Sequence, residues 1–561
     1  MPDQFIAECL DCGNRSLYSL SSPACPDCGS TWREARYDQS NLANKLLAEL
    51  PSRPFNLWRY HELLPIDHPQ RDLSLGEGCT PMLRAVNLGM MLGCPNIYIK
   101  DERQGPTHSF KDRQAALSMA AYKEAGIKEV VVASTGNVAI AYSAYAARAG
   151  IKLWAFLTSL VPAAKMREVA LYGTQVIKIT GSYDQTKQIA ADFAHQRGIH
   201  LDLGSRSIPC IEGMKTIALE ASEQLTALAG PPESEVGLKP APWRTPDWYF
   251  QSVSGGLGPL GVIKGFTELC EIGLTNKIPK MGIIQVEGCA PMVHAWKQDR
   301  DVAIPVQVSS TLIATLATGD PGRSYTLLRK KMLATSGGDF ESVTDSEAFR
   351  AIHFLAKMEG ISVEPAAAVS FAGLIKLVRS GVVKPSETIV VNCTGHTYPI
   401  DRNILGDNWS RDLELPSRTM EGNAEEGLLA ALSKVGIDRF PRIAVVDDNP
   451  DARRLICRIL QSQGNFSLFE ATNGQEAVAL VHKEHPDLII LDLMMPEMDG
   501  FAVMDRIQTD PATADIPIIV VTAKELTSAE KNRLQGHIQS LMKKGDFLND
   551  DLLDEVRALL G

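Results

Sequence analysis

Between residues 41 and 402, short apolar runs alternate with longer amphipathic, alanine-rich ones, and this alternation limits what the chain can fold into. The runs at 97–100, 129–133, 152–157, 175–179, 248–253, 281–286 and 388–391 have the length and side chains of strands. Runs of helical period lie between them, at 114–124, 139–148, 183–196 and 346–359. Strands separated by helices pair in parallel, because a helical crossover carries the chain back to the starting edge. The expectation is a layered α/β fold with mainly parallel sheet.

At 561 residues the chain is too long for one core. A composition break falls at 406–440, where Pro416, Gly422 and Asn423 interrupt a charged stretch. Beyond it a shorter alternation starts afresh, with strands at 443–446, 488–491 and 518–521. Each ends at a polar residue on the edge where doubly wound sheets place their sites. Residues 230–246, rich in proline and polar side chains, read as a surface loop.

Net charge is −11 without a basic stripe, which disfavours a nucleic-acid surface. No run of eighteen apolar residues occurs, and the start, MPDQ, lacks a signal pattern, so a cytoplasmic protein without membrane contact is expected. A disulfide framework is not expected there. Cys9, Cys12, Cys25 and Cys28 instead form two CxxC knuckles, each followed by glycine. Four thiolates with no open position suit a structural Zn²⁺.

Residues 105–113, GPTHSFKDR, set Lys111 in a small polar turn that opens a helix. A lysine amine can hold an aldehyde cofactor as a Schiff base when burial lowers its pKa and frees the neutral amine. Phe110 supplies apolar cover and Pro106 ends the preceding strand. Taken alone, such a lysine is an ordinary solvated residue. Further on, SGGLGP at 254–259 follows a strand and precedes a helix, so its backbone amides can cradle a phosphate. Gly256, Gly258 and Gly261 also satisfy the GxGxxG dinucleotide pattern, with Glu287 closing the next strand where a ribose-binding acid would stand.

Together with LGEGCTPM at 75–82, ASTGNVAI at 133–140, EGMKT at 212–216, EPA at 364–366 and TGH at 394–396, the SFKDR motif resembles threonine synthases and their relatives. These are fold-type II pyridoxal-phosphate (PLP) enzymes of the tryptophan synthase β-like superfamily. The resemblance spans residues 64–397 and favours PLP over a dinucleotide. It implies that Lys111 carries PLP and that Asn137 bonds the 3′ oxygen. Ser254, Gly255, Gly256, Leu257 and Gly258 would hold the phosphate, and Thr394 would face the pyridine nitrogen. A neutral hydroxyl there leaves that nitrogen mostly unprotonated.

The implied reaction converts O-phospho-L-homoserine and water to L-threonine and phosphate, with Glu77, Thr80, Ser109, Arg113 and Thr135 contacting the substrate or its phosphate. Family members are commonly homodimers, and some carry a similar N-terminal ribbon. Departures from the family pattern gather on the substrate side. Gln114 replaces a glycine, residues 205–209 replace an Asn-Pro-rich segment, and Thr-Tyr-Pro follows His396. Leu257 and Pro259 also depart from a Gly/Asn-rich phosphate loop. Two other readings stay open: a PLP lyase or synthase acting on another amino acid, and a non-catalytic signalling protein that binds PLP or an amino acid.

In the last part of the chain, Asp447 and Asp448 end one strand, Asp492 ends another, Thr522 a third, and Lys544 follows a further apolar stretch. Three converging carboxylates suit Mg²⁺, which would neutralise incoming phosphoryl oxygens while Asp492 acts as nucleophile. Threonine and lysine would then hold the new phosphate. Lys544 fits the spacing better than Lys543. With MMPEMDG at 494–500, the set resembles a two-component response-regulator receiver domain, flavodoxin-like and doubly wound. That resemblance implies a sensor histidine kinase or phosphotransfer protein as partner. The boundaries read from the sequence are a zinc-ribbon-like segment at 1–38, the catalytic domain at 39–405, a linker at 406–440 and the receiver at 441–561.

Overall fold

The structure is a computed structural model that describes residues 5–67, 71–159, 161–230, 241–308, 311–396, 440–463, 466–524, 526–534, 536–544 and 550–560. The linker expected at 406–440 lies outside these residues apart from its last position, as does much of the loop expected at 230–246. The chain divides into two compact units: Met1–Ala85, Asn96–Ile352 and Ser362–Thr397 in one, and Val86–Pro95, His353–Ile361 and Tyr398–Gly561 in the other. Among the described residues, the second unit thus takes in two segments that the sequence boundaries assign to the catalytic domain. Those segments are tied together, since Asn87 Nδ2 and Leu88 N donate to Met358 O and Glu359 Oε1, each at 2.6 Å.

The first unit opens with an antiparallel sheet of β1 (Phe5–Cys9), β2 (Arg15–Ser16) and β3 (Arg33–Tyr37), in the order β2-β1-β3. Next come β4 (Met82–Arg84) and β5 (Ile97–Asp101), paired antiparallel. A four-stranded parallel sheet follows from β6 (Glu129–Ser134), β7 (Lys152–Thr158), β8 (Gln175–Ile179) and β9 (His200–Leu201), in the order β8-β7-β6-β9. The chain then returns to the earlier strands with β10 (Trp248–Ser252), β11 (Lys280–Val286), β12 (Gly338–Val343) and β13 (Ile389–Cys393), completing a six-stranded sheet ordered β12-β11-β10-β13-β5-β4. All of its pairings except β4–β5 are parallel.

The strands expected from the sequence form with ends shifted by a residue or two, whereas β4, β9 and β12 are additions. The first two are too short to show a period, and β12 is mostly polar. The helical run at 346–359 is also divided: an α-helix spans Asp345–Phe354 and a π-helical turn spans Leu355–Glu359, ended by Gly360 at φ 69°. Helices Ile208–Ala229 and Leu257–Glu271 pack closely enough that glycine is required between them. A Cβ on Gly261 would lie 2.5 Å from Met214 Cβ, and one on Gly265 would lie 2.7 Å from Lys215 O.

In the second unit β14 (Arg442–Val446), β15 (Ser467–Ala471), β16 (Leu488–Leu491), β17 (Ile518–Thr522) and β18 (Ser540–Lys543) form one parallel sheet ordered β15-β14-β16-β17-β18. This is the doubly wound flavodoxin-like order, and its switch point lies at the C-terminal ends of β14 and β16. Apolar clusters cover both faces.

Candidate active site

A cavity of about 520 Å³ opens in the first unit at the C-terminal ends of strands from both of its parallel sheets. Lys111 reaches it from the turn after β5, Thr135 and Asn137 from the end of β6, residues 253–258 from the end of β10, and Thr394 from the end of β13. The turn that carries Lys111 is held tightly. Asp112 accepts from Thr107 N at 3.0 Å and Thr107 Oγ1 at 2.6 Å, and a Cβ on Gly105 would lie 2.5 Å from Asp112 Oδ2. His108 sits at φ 59°, a conformation that a non-glycine residue keeps only where its surroundings impose it. Phe110 N donates to Thr394 O at 3.0 Å and His396 N to His108 O at 2.9 Å, which ties this turn to the last strand. A Cβ on Gly395 would collide with Glu364 Oε1 at 2.8 Å, so the TGH motif is in part a packing requirement.

Lys111 begins the helix Lys111–Glu124, with its ammonium 4.2 Å from the Phe110 ring centre. No hydrogen bond or ion pair engages that ammonium among the described residues. Burial lowers its pKa from the usual 10.5 to about 8, although the Glu364 carboxylate acts the other way. The amine is therefore protonated below about pH 8 and neutral above it. In cofactor-free protein, site-specific acylation of Lys111, followed by mass spectrometry, is expected to rise with a midpoint near pH 8. A midpoint near 10.5 would mean that the amine is solvated.

Residues 254–258, expected to cradle a phosphate, line the cavity and lead into a helix. Gly256, at φ 86°, precedes the helix Leu257–Glu271, whose N-terminal amides and dipole favour an anion. A Cβ on Gly255 would meet no atom within 4 Å, whereas one on Gly258 would strike Gln251 Nε2 at 2.1 Å. The dinucleotide pattern is not realised: Gly261 serves helix packing, and the exposed Glu287 does not line the cavity.

Two residues missed by the sequence reading brace Asn137: Glu364, which lines the cavity, and Lys165, which does not. Asn137 Nδ2 donates to Glu364 Oε1 at 2.7 Å, while Lys165 Nζ donates to Asn137 Oδ1 at 2.7 Å and stands 3.2 Å from Glu364 Oε2. The carboxylate and ammonium fix the amide's orientation from both sides. Glu364 belonged to a recognised motif, so a signal for it existed. Lys165, in the helix Ala163–Leu171, had none.

The residues expected to touch substrate divide. Thr135 lines the cavity and donates to Thr315 O at 3.3 Å. Ser109 is buried beside the Lys111 turn, but its side chain does not line the cavity. Glu77, Thr80 and Arg113 lie elsewhere, in buried polar networks. Glu77 accepts from Trp58 Nε1 at 2.6 Å and Tyr145 OH at 3.0 Å. Arg113 bonds Glu102 at 2.8 Å, Glu220 at 2.7 Å, Thr216 Oγ1 at 2.9 Å and Thr80 Oγ1 at 3.2 Å. Lys100 also binds Glu220, at 2.8 Å. These motif positions build the support under the site.

Two groups of side chains could hold a metal among the described residues. Sγ of Cys9 is 3.5 Å from that of Cys28, and Sγ of Cys12 is 3.6 Å from that of Cys25. A tetrahedral zinc site needs sulfurs about 3.8 Å apart, given Zn–S bonds of about 2.3 Å. Gly13 and Gly29, both at φ 73°, close the two knuckles. In the second unit, carboxylate oxygens of Asp447, Asp448 and Asp492 lie within 4.8 Å of one another. Lys544 Nζ stands 2.5 Å from Asp492 and 2.7 Å from Asp447, and burial raises the Asp447 pKa despite that ammonium. Thr522 ends β17 beside them, while Lys543 is the last residue of β18 and is exposed.

A buried lysine, a glycine-led helix start and a hydroxyl on one cavity wall suit an aldehyde cofactor bearing a phosphate. The chain belongs to the pyridoxal-phosphate dependent enzymes, whose family model matches residues 73–395. Within that class it is similar to threonine synthases. It is 34% identical to that of Methanocaldococcus jannaschii over 394 residues, covering 70% of this chain and 92% of the relative. To that of Mycobacterium bovis it is 30% identical, over 60% and 86% of the two chains. A diaminopropionate ammonia lyase from Escherichia coli, solved with D-serine, shares the fold at TM-score 0.50 and 16% identity, over 60% of this chain and 89% of that one. Residues 443–557 match the response regulator receiver domain. Among the described residues, no helix is long and apolar enough to cross a membrane.

Proposed function

We propose that the chain is a PLP-dependent lyase that converts O-phospho-L-homoserine and water to L-threonine and phosphate, under control of its receiver domain. The observation that carries this reading is the Lys111 amine, poised near pKa 8 in a cavity whose wall also carries the glycine cradle, Asn137 and Thr394. Similarity to threonine synthases over nearly their full length supports the choice of substrate. Bound PLP supplies a sink for carbanion charge at the substrate's Cα. Lys111 would hold the cofactor through its amine; displaced by the substrate's amine, it would be free to take the Cα proton and to move protons at Cβ as phosphate leaves and water adds. Asn137, oriented by Lys165 and Glu364, would hold the 3′ oxygen, and the neutral Thr394 hydroxyl would face the pyridine nitrogen.

Zinc on the four cysteines would fix the N-terminal sheet. Magnesium on Asp447, Asp448 and Asp492 would offset charge while the Asp492 carboxylate attacks the phosphorus of a phosphohistidine on a kinase or phosphotransfer protein, breaking the P–N bond. Lys544 and Thr522 then hold the phosphoryl oxygens. Cytoplasmic residence and a homodimer belong to the same proposal, from the family resemblance. The test is L-threonine formation from O-phospho-L-homoserine, with and without acetyl phosphate and Mg²⁺. The phosphodonor is expected to change the rate in wild type and leave Asp492→Asn unaffected. Absence of threonine would reject the substrate. Equal responses of the two proteins would reject the control.

A further inference from the structure

A phosphorylated substrate needs a cationic partner, and the arginine that the sequence offered first, Arg113, is buried against Glu102 and Glu220. The cavity wall carries three cationic side chains among the described residues: Lys111, Lys187 and Arg206. Lys111 is taken by the cofactor, and Lys187 Nζ lies 2.6 Å from Asp184. Arg206 is exposed, and no carboxylate among the described residues pairs with it. It ends the turn Gly204–Arg206, just before the helix Ile208–Ala229, and Asp202 braces this turn by accepting from Gly204 N at 2.8 Å. Beside it on the wall, Ser324 Oγ donates to Ser205 Oγ at 3.2 Å. The other charges on the wall, Asp184, Asp202, Asp320 and Glu364, are acidic and would repel a phosphate.

We infer that Arg206, with the hydroxyls of Ser205 and Ser324, binds the phosphate group of the substrate. The inference rests on the proposed phosphorylated amino-acid substrate and gives a role to the segment at 205–209 that departs from the family pattern. A guanidinium meets two phosphate oxygens at once, which a lysine cannot do. The two anions of the site are then held by different means. Cofactor phosphate, which stays, would sit on neutral backbone amides at a helix start. Substrate phosphate, which must depart after cleavage, meets an exposed charge that water readily rehydrates.

The experiment uses the full-length, PLP-loaded chain as wild type, Arg206→Gln and Arg206→Lys. It measures binding of inorganic phosphate by titration calorimetry, alongside steady-state kinetics with O-phospho-L-homoserine. Arg206→Gln is expected to weaken phosphate binding and raise KM roughly 10- to 100-fold, the range for charge-assisted hydrogen bonds. Cofactor absorbance should stay unchanged, kcat should change little, and Arg206→Lys should recover part of the loss. Phosphate binding and KM equal to wild type in Arg206→Gln, with wild type active, would overturn the role of Arg206 while leaving the reaction intact. If wild type does not turn over this substrate, phosphate binding alone decides: weakening in Arg206→Gln supports the anion site, and no change overturns it.

Discussion

Lys111→Ala is expected to lose the absorbance of lysine-bound cofactor and to lower the rate of threonine formation roughly 10⁴-fold or more, the upper range for removing a positioned proton-transfer group. Folding should survive. Among the described residues the amine has no polar partner to strand, and burial disfavours its charge, so below about pH 8 the folded state bears a cost for protonated Lys111 that alanine removes. The cofactor-free variant should therefore melt no lower than cofactor-free wild type at neutral pH. Retained cofactor absorbance in Lys111→Ala would remove this residue from the centre of the chemistry. A collapse in melting temperature would instead make it a structural residue.

Arg113→Met is expected to do the opposite. Its guanidinium and both carboxylate partners are almost completely buried, so its removal leaves Glu102 with uncompensated charge and Glu220 with Lys100 as its one remaining cation among the described residues. Breaking a buried ion pair from one side costs about 3–5 kcal/mol. Burial alone would raise the pKa of Glu220, yet Arg113 and Lys100 hold it below the ordinary range, so the network is a net gain for the ionised acid. Denaturant unfolding of the cofactor-loaded protein measures the loss. KM of the protein that remains folded should stay close to wild type. A large rise in KM with unchanged stability would return Arg113 to the substrate side.

These two residues stand two positions apart in one motif, which shows why part of the site was legible in the sequence and part was not. Cofactor chemistry dictates residue types: an amine, a glycine run before a helix, an amide, a hydroxyl. The family resemblance singled out Lys111, residues 254–258, Asn137 and Thr394 for those roles, and the fold brings them to one cavity. Supporting residues of the same motifs satisfy packing, and their types overlap with those that bind substrate. An arginine suits a phosphate as well as it suits two buried glutamates. Lys165 had no signal because the helix that carries it contains nothing but ordinary helix formers, and its partner Glu364 lies almost two hundred residues later. The parallel layers followed from alternation alone. The π-turn at Leu355–Glu359 did not, because its composition continues the helical period. In the receiver, spacing was enough, since three acids at the ends of neighbouring parallel strands must meet at one edge.

The place of β13 has a consequence for how the enzyme comes into being. β5, which leads into the Lys111 turn, joins the six-stranded sheet through β13, pairing Asp101 with Cys393; its other neighbour is the short β4. During synthesis the lysine leaves the ribosome early, yet its strand stays separated from β10, β11 and β12 until β13 has been made and threaded between. Contacts this distant in sequence form slowly, because a long loop must close before any of them can repay its entropy. The nascent chain therefore cannot assemble the pocket, or capture the cofactor in its finished form, before residue 396 is translated. Loading of PLP into the finished pocket would thus follow synthesis of β13.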